Sequence, residues 1–150
     1  MPDVTVEREI VGVSAERVWT IARNLLDYPK FMEQVISVEQ CDIPGVAHAT
    51  AWVVLFNGNE LQWTEADEYF DAVHRMTFEQ ISGDLAEWTG SFETIESGNS
   101  VIARYSVTFD LGVPALSHIL HPLGEKAIRD NCGQMLREIE ARSRYEDARA

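Results

Sequence analysis

Between residues 35 and 110, apolar and polar side chains alternate in short runs that are broken at regular intervals. Pro44-Gly45, Asn57-Gly58-Asn59, Asp71-Ala72, Ser82-Gly83-Asp84 and Ser97-Gly98-Asn99 recur every 11 to 15 residues. Asn-Gly between alternating runs is a strong hairpin signal, because both residues tolerate positive φ. The spacing predicts strands near 35–43, 47–56, 60–70, 73–81, 86–96 and 100–110. Turns this short join antiparallel neighbours, so the six strands should form a meander. Residues 3–11 read as a seventh strand.

The apolar period changes from two to 3.6 at both ends of the chain. Ser14 suits an N-cap, Glu16 the first turn, and Val18, Trp19, Ala22, Leu25 and Leu26 one apolar face. Pro29 disfavours helical backbone at Tyr28, which predicts a break followed by a short turn through Phe31-Met32. Near the C-terminus, Leu116, Leu120, Leu123, Ala127, Ile128, Asn131, Met135 and Ile139 follow a helical period. Pro122 should kink that helix or mark its beginning. A curved sheet with one long helix against it is an α+β arrangement.

Length and composition add bounds. The chain has 150 residues, 45% hydrophobic and 25% charged, which fits one folded domain. Its core should span about 3–142, with 143–150 as a polar tail. Cys41 and Cys132 match no zinc or redox spacing. No apolar run is long enough for a membrane span, and the first residues lack the basic and apolar stretches of a leader, so a cytoplasmic location is expected. The formal net charge is −13, and residues 125–150 carry six charges of each sign, so the acidic excess lies before them. Nucleic acid and anionic membrane need basic contacts and are not expected partners.

The order of elements, with Ser14-Ala15-Glu16-Arg17-Val18-Trp19, Asp27-Tyr28-Pro29-Lys30-Phe31-Met32, Val35, Val38, Gly83-Asp84, Trp88-Thr89-Gly90 and Leu111-Gly112-Val113-Pro114, resembles the START-related (SRPBCC) superfamily. That superfamily includes polyketide aromatase/cyclases and coenzyme-Q-binding proteins. The resemblance implies a helix-grip fold, seven curved strands around a long C-terminal helix, enclosing an apolar pocket for a polyketide, quinone or lipid. It implies no metal or organic cofactor. As partners it implies a hydrophobic small molecule and an acyl carrier protein, and it leaves a homodimer open.

Within that frame, strand alternation selects the candidate residues. Leu61, Trp63, Glu65, Asp67 and Tyr69 share the bulkier, inward face of the fourth strand. Burial raises a carboxyl pKa, and a neighbouring carboxylate raises one of the two further, so Glu65 and Asp67 could hold one proton between them. The competing expectation leaves both at a wet rim. Aromatase/cyclases of the tetracenomycin type, which the chain resembles, have an arginine at the position of Asp67, so their mechanism does not carry over directly. Trp52, Val54 and Phe56 share a face of the third strand, Trp88, Gly90 and Phe92 one of the sixth, and Ala103, Tyr105, Val107 and Phe109 one of the seventh. Together with Trp63, Met76, Phe78 and Met135, the rings Trp52, Trp88, Phe92 and Phe109 are expected to bind a flat ligand. Ordinary core packing would produce the same stripes.

Tyr105 is assigned to hydrogen-bond a ligand carbonyl. Asn131, which interrupts the apolar helix stripe, faces either the ligand or the sheet. His118, His121 and Glu125, like His48 and His74, are expected on solvated faces, and Arg75 and Arg104 point outward. No nucleophile elbow, phosphate loop or dinucleotide fingerprint is present. The reading is a cofactor-independent cyclase/dehydratase with Glu65, Asp67, Tyr105 and Asn131 as catalytic residues. The alternative is a non-catalytic carrier of a quinone, lipid or other hydrophobic molecule.

Overall fold

A computed structural model describes residues 3–56, 58–110 and 117–149, with side chains of the last helix described from 124 to 145. Along the chain run β1 (Asp3–Val11), α1 (Ala15–Arg23), a 3-10 turn (Leu25–Asp27), α2 (Tyr28–Phe31), β2 (Val35–Cys41) and β3 (Ala49–Phe56). There follow β4 (Asn59–Phe70), a 3-10 turn (Asp71–Val73), β5 (Arg75–Gly83), β6 (Glu87–Ser97), β7 (Ser100–Asp110) and α3 (Ser117–Arg149). All seven strands join one antiparallel sheet in the order β1-β7-β6-β5-β4-β3-β2. The long helix and α1 cover its inner face. This is the α+β helix-grip arrangement.

Three turn glycines, Gly45, Gly58 and Gly98, carry the positive φ that the connections between strands require. Two other glycines make room instead. Gly83 pairs with Trp63 across the β4–β5 ladder, and a Cβ there would lie 2.5 Å from the Trp63 Cβ. Gly90 pairs with Phe78, and its Cβ would meet the Ser106 carbonyl at 2.2 Å and the Phe78 ring at 2.8 Å. Each of these two large rings therefore sits opposite a residue with no side chain.

Ser14 caps α1 by accepting from the Arg17 N–H at 3.1 Å. The helix stops at Arg23, earlier than its apolar face suggested. The following 3-10 turn rotates Leu26 outward to 45% exposure while keeping Leu25 buried. Tyr28 is a second departure. It adopts helical backbone directly before Pro29, because its ring is fully buried against Trp52 and Phe31 and its hydroxyl is tied to α1. Tertiary burial there outweighs the local preference of a residue before proline.

Within α3, Ile128, Asn131, Cys132, Leu136 and Ile139 form the buried stripe, with Ala127 and Met135 half-buried beside it. The helix begins at Ser117, so Pro122 falls inside it and does not mark its start. It also runs through the expected polar tail: Ser143 is fully buried and donates to the Ile139 carbonyl at 2.7 Å. Leu111–Pro114 and Leu116 lie outside the described residues, and Leu120, Leu123, His118 and His121 outside the described side chains. Along β1 the helix is tied by the Arg8–Glu140 ion pair and by Arg129 donating to the Thr5 carbonyl. Arg75 and Arg104 pair with Glu93 on the outer face, as strand parity requires. No described helix is long and apolar enough to cross a membrane.

Candidate active site

The inner faces of β3 to β7, with α3 above them, enclose a cavity. Its wall includes Trp52, Val54 and Phe56 of β3, Trp63, Glu65 and Asp67 of β4, Met76 and Phe78 of β5, and Trp88 of β6. Tyr105 and Val107 of β7 and Asn131, Cys132 and Met135 of α3 complete it, with Leu25 and Tyr28 at one end. The cavity volume is about 50 Å3. That is room for a few waters, so a ring-sized ligand must part the walls.

Aromatic rings dominate one side. Trp52 and Trp63 are directly paired across the β3–β4 ladder, stacked at 5.8 Å with 6° between planes. Trp88 follows at 5.1 Å from Trp63, with Phe78 and Phe56 packed against it. Alternation on neighbouring strands, with glycine opposite Trp63 and Phe78, builds this wall.

Glu65 and Asp67 extend the same face of β4, each only 3% exposed. The buried alternative is therefore the one realised, and the wet rim is not. Trp63 Nε1 donates to Glu65 Oε1 at 2.7 Å. The Thr50 hydroxyl donates to Asp67 Oδ2 at 2.7 Å, and Trp52 Nε1 in turn donates to that hydroxyl at 2.8 Å. The two carboxyl groups are within hydrogen-bonding reach of each other. Burial pushes Glu65 well above the ordinary carboxyl range, and the hydrogen bond to Asp67 and its negative charge push it further. Burial raises Asp67 too, against the opposing pull of Glu65 as donor and of Thr50. Both shifts favour keeping a proton at this pair, and the push is stronger on Glu65 than on Asp67.

The opposite end is closed. Tyr28 donates its hydroxyl proton to the Ala22 carbonyl at 2.5 Å, satisfying one of the unpaired carbonyls that end α1. Tyr105, 3.3 Å away, must then donate to the Tyr28 oxygen. This corrects the expectation for Tyr105: it faces the cavity, but as an acceptor whose own proton is engaged. Asn131 also lines the cavity and is held on both sides of its amide, donating to the Leu55 carbonyl at 3.3 Å and accepting from Gln34 at 3.4 Å. Its amide is thus engaged by β3 and by the turn before β2. Trp88 Nε1 is buried and makes no hydrogen bond of proper geometry, although it lies near enough to Glu65 to favour the ionised carboxylate.

Of the residues assigned from sequence, Glu65, Asp67, Tyr105, Asn131, Trp52, Trp63, Met76, Phe78, Trp88 and Met135 meet at this cavity. Phe92 and Phe109 do not line it. Both are fully buried, and Phe92 lies between Trp19 of α1 and Tyr105 as a packing layer behind the wall. Leu25, Tyr28 and Cys132 were not anticipated. The i,i+4 spacing of Cys132 from Ile128 and Leu136 was a readable signal, whereas Tyr28 was hidden by Pro29.

A curved antiparallel sheet gripping a long helix over a largely apolar cavity defines a helix-grip ligand-cavity protein. The comparisons with known proteins narrow the class. The chain belongs to the polyketide cyclase / dehydrase and lipid transport family, whose model matches residues 11–135. It is similar in structure to a protein from Thermus thermophilus, with 26% identity, a TM-score of 0.86, and coverage of 97% of this chain and 99% of that one. The aromatase/cyclase Zhui from Streptomyces sp. R1128 shares the fold at 13% identity, with a TM-score of 0.77 over 95% and 94% of the two chains. A ginseng major latex-like protein from Panax ginseng does so at 12% identity, with a TM-score of 0.77 over 95% and 97%. No curated protein matches the sequence.

Proposed function

We propose that the chain is a cofactor-independent polyketide cyclase/dehydratase-like enzyme, acting on a poly-β-ketone or aromatic intermediate presented by an acyl carrier protein. The observation that supports this most is the pair of buried carboxyl groups, Glu65 and Asp67, side by side in an aromatic cavity, where burial raises both pKa values. Such a pair supplies both halves of an aldol step. Asp67, as carboxylate, removes a proton from the carbon between two carbonyls; the enolate carbon attacks the carbon of a second carbonyl, and Glu65 delivers its proton to the oxygen of that carbonyl. In the dehydration that follows, the roles reverse: one carboxylate takes the α-proton while the protonated partner gives its proton to the departing hydroxide as water. The indole walls hold the chain so that one carbon–carbon pairing is nearer than the others. Trp88 Nε1, which has no partner of its own, takes over the carbonyl-orienting role first assigned to Tyr105.

The test is product analysis by mass spectrometry after mixing the protein with a carrier-bound poly-β-ketone, beside a protein-free control. One dominant ring pattern is the expected result, lost in Glu65→Gln with binding retained. A distribution equal to the control overturns the reading and leaves carriage of a hydrophobic molecule, which the lipid-transport description of the family and the apolar wall would support.

A further inference from the structure

A cavity of about 50 Å3 admits no ring-bearing ligand until some part of its wall opens. Most of that wall is strand laced to strand. The rest is α3, whose two flanks are held differently. Towards β1 the helix is fastened by the Arg8–Glu140 ion pair and by Arg129 donating to the Thr5 carbonyl at 3.2 Å. Towards β3 it is held through the Asn131 amide, whose bonds to the Leu55 carbonyl and from Gln34 are long, at 3.3 and 3.4 Å. The Glu33 N–H donates to Glu138 on the same flank, again at 3.3 Å. No ion pair crosses this seam among the described residues.

A recess of about 80 Å3 lies along the seam, and Phe56 and Asn131 line both it and the cavity. One ring and one amide therefore form the partition. The recess is polar where the cavity is aromatic: Gln34, Asp130, Asn131 and Gln134 stand in its wall, with no lysine, arginine or histidine among the described residues. Its hydrogen bonding is unbalanced. Gln34 is only 8% exposed; its Nε2 is spent on Asn131, and its Oε1 is buried with no donor. Reversing the Gln34 amide would set its oxygen against the Asn131 oxygen, and reversing both would set the Asn131 oxygen against the Leu55 carbonyl. The orphan is thus built in by the β3 backbone. Glu138 Oε1, further along α3, is a second buried acceptor with no donor. Nearby donors are committed, Asn131 Nδ2 to Leu55 and Lys126 to Asp130 at 2.6 Å. A buried acceptor left unmet is costly, so the recess is complementary to a group that brings a donor.

We propose that this recess is the mouth of the cavity and a binding subsite for a neutral hydrogen-bond donor, an amide N–H or a hydroxyl, carried behind the apolar body of the ligand. The body passes Phe56 as the Asn131 amide releases Leu55, and the donor comes to rest on Gln34 Oε1. An amide oxygen carries no net charge and Asp130 is already paired with Lys126, so a neutral donor suffices. The inference shares the cavity with the cyclase reading but does not depend on catalysis.

Two matched ligands decide it: N-methyl-4-phenylbutanamide and N,N-dimethyl-4-phenylbutanamide, titrated against the protein and followed by tryptophan fluorescence. They differ by one N–H against one methyl group. The N–H amide should bind about fivefold more tightly, the worth of one hydrogen bond to a buried acceptor, although burial alone favours the extra methyl. Gln34→Met, of similar length, should abolish that preference. In stopped-flow mixing, Asn131→Ala should speed both entry and release of the N–H amide by about three- to tenfold, as expected for loss of two weak bonds from the partition. The ligand comparison needs only the unaltered protein and decides the matter should Gln34→Met fold poorly. Equal affinities, tighter binding of the dimethyl amide, no binding by either, a preference that survives Gln34→Met, or unchanged rates in Asn131→Ala overturns the proposal. A dominant ring pattern in the cyclisation assay with no amide preference would sink the recess and leave the enzyme standing. An amide preference with products equal to the protein-free control would do the reverse.

Discussion

The two ends of the cavity are built from similar materials and finish in opposite states. At the tyrosine end, Tyr105 donates to Tyr28 and Tyr28 to the Ala22 carbonyl, so every hydroxyl proton has a destination. Both tyrosines are almost fully buried, and burial raises both hydroxyl pKa values. Nothing there can titrate near neutrality. At the acid end, Trp63 and Thr50 hold the carboxyl groups in place, yet burial raises both carboxyl pKa values and the Trp88 N–H makes no hydrogen bond of proper geometry. Equal burial thus gives a fastener at one end and a chemically responsive group at the other. What separates them is whether the hydrogen-bond chain terminates in a backbone carbonyl or in a second ionisable group.

Breaking the acid end should have the largest consequence for activity. Glu65→Gln keeps the Trp63 acceptor and removes the transferable proton, so turnover in the cyclisation assay should fall by about 10²–10⁴-fold, the usual worth of a positioned acid or base. Ligand binding measured by fluorescence should hold. At the tyrosine end the effect moves from activity to stability. Tyr28→Phe leaves the Ala22 carbonyl buried without a donor and should cost about 1–3 kcal/mol in urea unfolding. Tyr105→Phe removes only the longer bond and should cost about 0.5–1.5 kcal/mol in the same assay. If the two tyrosine variants cost equal amounts, the direction assigned to the hydroxyl chain is wrong.

The subtlest difference is one of slope. Glu65 and Asp67 bind protons more tightly folded than unfolded, so they favour the folded state most at acid pH. That contribution should disappear as pH rises from the unfolded carboxyl value of about 4 through the raised folded values. Glu65→Gln should flatten this decline, gaining on the parent protein as the buffer is made more alkaline. Thermal midpoints across a pH series would show parallel curves if the carboxyl groups were in fact hydrated.

Much of this was readable before any coordinates. Turn chemistry placed all seven strands within about two residues, and parity alone put Trp63, Glu65 and Asp67 on one face. Parity says which face a residue takes, but not how far along the curved sheet it lies. Phe92 has the parity of Trp88, yet α1 reaches over it with Trp19 and removes it from the cavity. Tyr28 was lost for a different reason: a local backbone preference pointed one way, and burial of a large ring with a hydroxyl partner pointed the other. Asn131 was visible as a break in the apolar stripe of α3. Its partners, Leu55 of β3 and Gln34 in the turn before β2, depend on how the helix lies over the sheet, which no pattern within the helix reveals.

The even spacing of residues 63, 65 and 67 along β4 has a bearing on how such a protein changes over generations. Size and charge stand at every second residue, while Gln62 and Glu68 on the other parity meet water. A substitution at any one odd position alters the chemistry of the interior without moving its neighbours. Inserting a single residue after Gln62 would turn the whole set outward and present the water-facing side chains to the core. Descent along this strand is therefore open to replacement one position at a time and closed to odd-length insertion. Variation in length should collect at the hairpin tips, where Gly58 and Gly98 have nothing packed against them.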